Sequence, residues 1–150
     1  MTLNEEVYYL DTSALVKRYV SEPGSNAVDS IFSKCYRGLI KISFSYWNMA
    51  EAAVVFDKYE RRLGLNAKEL LRNLLREMET LAKLHRLRVV EISPRILKET
   101  IKLVLKYHVY VADALQMASA IKAKSNIFVT GDKDLAKIAE TEKLKVIYVG

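Results

Sequence analysis

Apolar positions along the chain follow two alternating periods. Short runs at residues 7–10, 39–43, 88–92, 126–130 and 144–149 are dense in Val, Ile, Leu, Tyr and Phe and read as strands. Between them apolar residues return every three or four positions, as the face of a helix requires. Helices are predicted over 12–20, 25–34, 46–63, 94–107, 111–124 and 133–140, with a leucine-rich helix over 66–86 that carries Leu70, Leu71, Leu74, Leu75, Met78 and Leu81. The punctuation agrees. Glu22-Pro23-Gly24 stops the first helix, Ser45 caps and Gly64 ends the third, Asn66 with Glu69 forms a capping box, and Ser93-Pro94 opens the fifth.

Strand and helix alternate from end to end. That order predicts an α/β fold with a mostly parallel central sheet covered by helices on both faces. No repeat, low-complexity tract or Pro/Gly-rich linker divides the chain, so residues 1–150 read as one domain.

Composition narrows the class. Hydrophobic residues make up 51% and charged residues 28%, a normal globular balance. The longest apolar runs, such as 109–115, are short and broken by an acid, so no membrane span or signal peptide is expected. A single cysteine, Cys35, excludes an internal disulfide and a cysteine-based metal site, and a cytoplasmic setting follows as the default. Lys and Arg outnumber acids 24 to 18, giving a net charge of +6 that favours an anionic partner, nucleic acid above all.

Parallel sheets bind ligands beyond the carboxyl ends of their strands. Most acids, including Glu60, Glu69, Glu77, Glu79, Glu99 and Glu140, sit among Lys and Arg and read as solvated surface charge. Four do not. Asp11 and Asp132 each follow a predicted strand directly, where a carboxylate also serves as a helix cap. Asp134 lies in the same turn as Asp132. Glu51 shares a helical face with Trp47, Val54 and Val55, where a carboxylate needs a partner such as an Arg or a backbone amide. Asp113 is the only charged residue between Val109 and Ile121, on a helix apolar all round. The helix dipole offsets roughly 0.3–1 kcal/mol of the cost of burying it, which leaves most of that cost unmet. Carboxylates gathered in one pocket repel one another, and a divalent cation resolves the conflict; oxygen-only ligands suit Mg²⁺ or Mn²⁺. His85 and His108 match no zinc spacing and read as boundary residues at helix ends.

The same residues resemble the PIN-domain nucleases, and among them the single-domain VapC-type toxins. The matching segments are Leu10-Asp11-Thr12-Ser13-Ala14-Leu15, Asn48-Met49-Ala50-Glu51, Ala112-Asp113-Ala114-Leu115-Gln116-Met117-Ala118-Ser119-Ala120 and Phe128-Val129-Thr130-Gly131-Asp132-Lys133-Asp134-Leu135, in that order along essentially the whole chain. The resemblance implies a three-layer α/β/α sandwich and a metal-dependent endoribonuclease that leaves a 5′-phosphate and a 3′-hydroxyl. It places the catalytic and metal-binding acids on Asp11, Glu51, Asp113 and Asp132. Asp11 and Asp113 are the foremost ligands, while Glu51 and Asp132 ligate directly or through water. Ser13 and Thr130 fall on hydroxyl positions that orient the metal shell or bind phosphate, and Asp134 on a supporting acid. The partners implied are an RNA substrate, an antitoxin protein that plugs the site, and a second copy of the chain.

Two further expectations concern surfaces. Lys17, Arg18 and Lys133 stand near predicted strand ends where cations would meet RNA phosphates, although each alone reads more simply as surface charge. Tyr46, Trp47 and the leucine-rich helix offer apolar surface for a homodimer, unless the core consumes it. A dehalogenase-type phosphotransferase also places an Asp after its first strand, but it needs a second Asp two residues on, where this chain has Ser13. An RNA-processing nuclease of the same fold and a non-catalytic binding module are the alternatives to a toxin. Pure binding gains nothing from buried negative charge.

Overall fold

The structure, a computed structural model, describes residues 5–150. Residues 1–4, the start of the stretch read as one domain without a leader, lie outside the described residues. The strands are β1 (Glu6–Leu10), β2 (Ile40–Ser45), β3 (Leu87–Val90), β4 (Ile127–Thr130) and β5 (Lys145–Tyr148). The helices are α1 (Thr12–Leu15), α2 (Ser25–Tyr36), α3 (Trp47–Leu63), α4 (Ala67–Lys83), α5 (Pro94–Tyr107), α6 (Val111–Lys122) and α7 (Lys133–Thr141). The sheet order is β3-β2-β1-β4-β5, and every pairing is parallel rather than most of them. Each strand feeds at least one helix before the next, and such crossovers return the chain in the same direction.

Period-two alternation sorts the strands onto two faces. Tyr8, Leu10, Ile42, Phe44, Ile127 and Val129 point to one, where they meet Phe32, Phe56, Leu74 and Leu81 of α2, α3 and α4. Tyr9 and Phe128 point to the other, stacked at 5.8 Å, against Ile96, Leu103, Met117 and Leu135 of α5, α6 and α7. Helices therefore cover both faces, the three-layer sandwich expected. No described helix is long and apolar enough to cross a membrane.

From β1 the chain runs outward to β2 and β3, then returns to lay β4 on the other side of β1. The connections after β1 and β4 leave in different directions, and a crevice opens where they part.

Four local differences have physical causes. The helix expected over 12–20 breaks into α1 and a 3₁₀ turn over Val16–Arg18. Lys17 turns inward to Glu22 (3.2 Å) and the Pro23 carbonyl (2.8 Å), while Arg18 swings to Glu77 and Asp29. Glu77 is thus not solvated surface charge: Arg18, Tyr19 and Tyr36 all donate to it, and these bonds overcome the effect of burial and lower its pKa. Ser45 lies inside β2, yet its Oγ accepts the Trp47 amide at 3.1 Å and still opens α3. The leucines of α4 serve mainly the core: Leu74 and Leu81 are buried and Leu70, Leu71 and Met78 pack on them, leaving Leu75 outside. His85 and His108 both adopt positive φ at helix ends, as boundary residues.

Candidate active site

Asp11 ends β1 in the crevice. Its Oδ1 accepts the Ala14 amide at 2.9 Å, capping α1, and the Ser13 hydroxyl at 2.7 Å. Its Oδ2 accepts the Thr130 hydroxyl at 2.5 Å. Capping and presentation to the crevice are therefore compatible. The side chain is 3% exposed. Burial pushes its carboxyl up to about 6, against the opposing pull of its hydroxyl and amide donors, and nearby Asp113 raises it further.

Both hydroxyls orient Asp11. Ser13 Oγ accepts the Gly131 amide at 2.7 Å while donating to the carboxylate, and Thr130 Oγ1 accepts the Asp132 amide at 3.0 Å. Each hydroxyl has one hydrogen, already committed to Asp11, so the 3.3 Å approach of Ser13 to Thr130 is a contact between acceptors. Gly131 permits the closeness: a Cβ there would meet Lys17 Cε at 2.9 Å and Ser13 Oγ at 3.3 Å.

Asp132 caps α7 through Oδ1, which accepts the Asp134 and Leu135 amides at 2.9 and 3.1 Å. Glu51, one turn into α3, finds neither an Arg nor a backbone amide among the described residues. Its Oε1 accepts Thr12 Oγ1 at 2.9 Å and Gln116 Nε2 at 2.8 Å. Asp113, in the first turn of α6, is half-buried. No described residue donates a hydrogen bond or offers a cation to it, and burial, Asp132 and Glu51 together raise its pKa.

Asp11, Glu51, Asp113 and Asp132 all line one cleft of ≈ 330 Å³, with Thr12, Ser13 and Gln116, and no Lys, Arg or His among the described residues lines it. Thr130 lies behind, fully buried. Asp134 faces an adjoining recess that Asp113 and Asp132 also line. Among the described residues no three Asp, Glu, His or Cys side chains form a ready-made ligand cluster. The four acids share a cleft, and Asp113 stands within electrostatic reach of the other three. The donor set suits a hard divalent cation: it is all oxygen, it excludes protein cations, and Asp113 lacks any partner.

Three site residues were not singled out in the sequence: Thr12, which donates to Glu51, and Gln116 and Asn48. Gln116 bridges the site to the core, accepting the Tyr9 hydroxyl on Oε1 at 2.6 Å and donating to Glu51. Burial pushes the Tyr9 hydroxyl pKa well up, which keeps its proton on this bond. Asn48 holds the mouth together, donating to the Leu10 carbonyl at 3.1 Å and accepting the Ser45 amide at 3.0 Å. The signal for Gln116 was present: it is a polar residue three positions after Asp113 on an apolar helix.

Of the cations expected at the rim, Lys17 is buried against Glu22, and Arg18 is held by Glu77 and Asp29 and stacks over Phe32 at 4.7 Å. Only Lys133 is exposed.

A model of the PIN domain family matches residues 8–141. No curated protein sequence matches the chain. Among solved structures, VapBC2 from Rickettsia felis bound to a DNA fragment from their promoter is 17% identical, with a TM-score of 0.66 over 96% of this chain and 99% of that one. VapC20 from Mycobacterium tuberculosis, a sarcin-ricin loop cleaving toxin, is 12% identical, with a TM-score of 0.63 over 87% and 93%. A toxin–antitoxin complex from Klebsiella pneumoniae is 18% identical, with a TM-score of 0.59 over 95% and 98%. At these identities the likeness is one of fold.

Proposed function

The chain belongs to the PIN domain family, and on that premise we propose that it is a divalent-metal-dependent endoribonuclease, the toxin of a toxin–antitoxin pair. The observation that carries this reading is the cleft itself: four acids from separate stretches of chain face it beyond the ends of β1 and β4, and no cation among the described residues lines it to neutralise them. Asp11 and Asp113 would hold Mg²⁺ or Mn²⁺, and Glu51 and Asp132 are the further acids that would serve it directly or through water. When bound, the ion supplies countercharge to the acids and Lewis acidity toward the phosphodiester and the attacking water.

The chain's own residues do the rest. Ser13 and Thr130 fix the plane of the Asp11 carboxylate; Oδ1 already accepts both Ser13 and the Ala14 amide while Oδ2 accepts Thr130 alone, which leaves Oδ2 the freer oxygen for an ion. Thr12 and Gln116 hold Glu51 through Oε1 alone. Its Oε2 is left to accept a proton from the water that attacks phosphorus. The P–O3′ bond breaks and the departing O3′ takes a proton from solvent water, giving a 5′-phosphate and a 3′-hydroxyl. Asp134 adds negative potential from the neighbouring recess.

An antitoxin that blocks the cleft is the natural regulator, and neighbours of the same fold that include a toxin–antitoxin complex support such a partner. Exposed Tyr46 and Trp47 provide apolar surface for a homodimer in the cytoplasm. The test is incubation of the purified chain with total RNA in Mg²⁺ or Mn²⁺, beside the same reaction in excess EDTA, and expression with and without a neighbouring small gene. Cleavage only with metal, together with growth arrest, is expected. Cleavage without growth arrest would move the role to RNA processing, and no cleavage would remove the enzyme reading.

A further inference from the structure

Beside the acidic cleft lies a second recess of ≈ 440 Å³ that shares its Ser13 and Val55 walls. Its charge is of opposite sign. Lys17, Lys58 and Arg62 face it, against one acid, Glu22. Lys17 and Glu22 neutralise each other at 3.2 Å. Tyr59 donates its hydroxyl to the other Glu22 oxygen and closes that group off. The surplus therefore rests on Lys58 and Arg62. These stand four residues apart on one face of α3 and both are exposed. On the same helix Asp57 is already paired with Arg61, and Glu51, seven positions before Lys58, lines the acidic cleft rather than the recess. Val16 and Leu63 give the recess an apolar side, and Leu63 is 68% exposed there.

We propose that this recess seats the nucleotide next to the bond being cut, with its base against Val16 and Leu63 and its phosphate between Lys58 and Arg62. The inference rests on the ribonuclease reading above and adds to it a substrate subsite. A phosphodiester backbone is repelled by the four acids, so its other phosphates need an attractive position within one nucleotide of the cleft. This recess is contiguous with the cleft, carries the needed charge, and falls within the range of about 300–1,000 Å³ typical of small-ligand sites. Its pairing of cations with an apolar wall suits single-stranded RNA, whose bases are free to stack.

The experiment is fluorescence anisotropy with a labelled decauridylate in an Asp113→Asn background kept in EDTA, so that residual cutting is suppressed, beside steady-state cleavage by the chain with Asp113 intact. Lys58→Ala/Arg62→Ala is compared with Arg95→Ala/Lys98→Ala, which removes the same charge from exposed positions on α5. The first pair is expected to weaken binding about tenfold and to reduce the salt slope by about 1.4, the value for two phosphate contacts on a single strand. KM for cleavage should rise by a similar factor while kcat stays nearly level. The α5 pair should do neither. Equal losses from both pairs, or an unchanged KM, would overturn the proposal. So would tighter binding of a labelled oligoglutamate than of the decauridylate, which would make the recess a seat for an acidic protein partner. Absence of any metal-dependent cleavage by the unaltered chain would instead remove the ribonuclease reading, an outcome separable from the binding comparison.

Discussion

The Thr130 hydroxyl donates to Asp11 Oδ2 at 2.5 Å, joining residues 119 positions apart at the ends of neighbouring strands. Ser13 mirrors it on Oδ1 at 2.7 Å, and both hydroxyls also accept backbone amides from the turn after β4. The acid is thus oriented by neutral donors. Arg or Lys would orient it as well, but would also cancel its negative charge. Glu51 is treated in the same way by Thr12 and Gln116.

Gln116 is the link whose loss should be most visible. Gln116→Leu leaves the buried Tyr9 hydroxyl without its acceptor and removes one of the two donors to Glu51. An unsatisfied buried polar group costs about 1–3 kcal/mol, so urea unfolding should show destabilisation of that order. Cleavage should fall about 10–100-fold as Glu51 loses its orientation. A variant as stable and active as the parent would show that Gln116 is a bystander.

Asp11 makes a pH prediction for the metal-free chain. Its ordinary value is 3.8 and burial holds it at about 6 in the fold. Between these values the folded chain keeps a proton that the unfolded chain has lost, so stability falls as pH rises, most of it by pH about 6. Asp113, also raised, adds in the same direction, whereas Glu77, lowered, loses stability as pH falls. Comparison with Asp11→Asn isolates the one group. From pH 4 to 7.5 the parent should lose roughly 2 kcal/mol relative to the variant in urea unfolding. A difference that stays constant with pH would mean that Asp11 is not held in its raised state.

Much of this site is legible in the sequence because its acids violate local expectation. Asp113 stands alone on an apolar helix, and Asp11 and Asp132 end apolar strands, so fold class and cleft position follow from patterning and strand order. Pairwise side-chain partners do not. Whether Lys17 reaches solvent or turns to Glu22 depends on the 3₁₀ turn after α1, and Glu77 looks like any helix-surface acid until Arg18, Tyr19 and Tyr36 are brought to it from elements distant along the chain. Propensity and period carry no information about such non-local bonds. The all-parallel sheet is likewise a property of chain return, which alternation alone leaves mixed or pure.

The role of Thr130 separates into a bond and a volume. Thr130→Ser keeps the hydroxyl and loses a methyl; Thr130→Val keeps the shape and removes both the bond to Asp11 and the acceptor for the Asp132 amide. If orientation of Asp11 matters, Val should lower cleavage about 10–100-fold while Ser stays much closer to the parent. Comparable activity in the two variants would assign Thr130 to packing alone.

Asp113 should reverse the order of stability between two conditions. Without metal its carboxylate is half-buried, lacks a donor or cation among the described residues, and is repelled by Asp132 and Glu51. Asp113→Asn removes that repulsion at nearly constant volume, so at pH 7.5 in EDTA the variant should melt above the parent, by about 2–4 °C for each kcal/mol relieved. With Mn²⁺ the order should invert. A ligand that binds only the folded state adds about 2.7 kcal/mol at a hundred times its Kd, and the parent alone keeps the carboxylate that grips it. Cleavage by the variant should be lower by about 10²–10³. A parent that melts at the same temperature across a Mn²⁺ titration would mean that its acids bind no such ion, and the higher metal-free melting point of the variant would then reflect relieved repulsion alone.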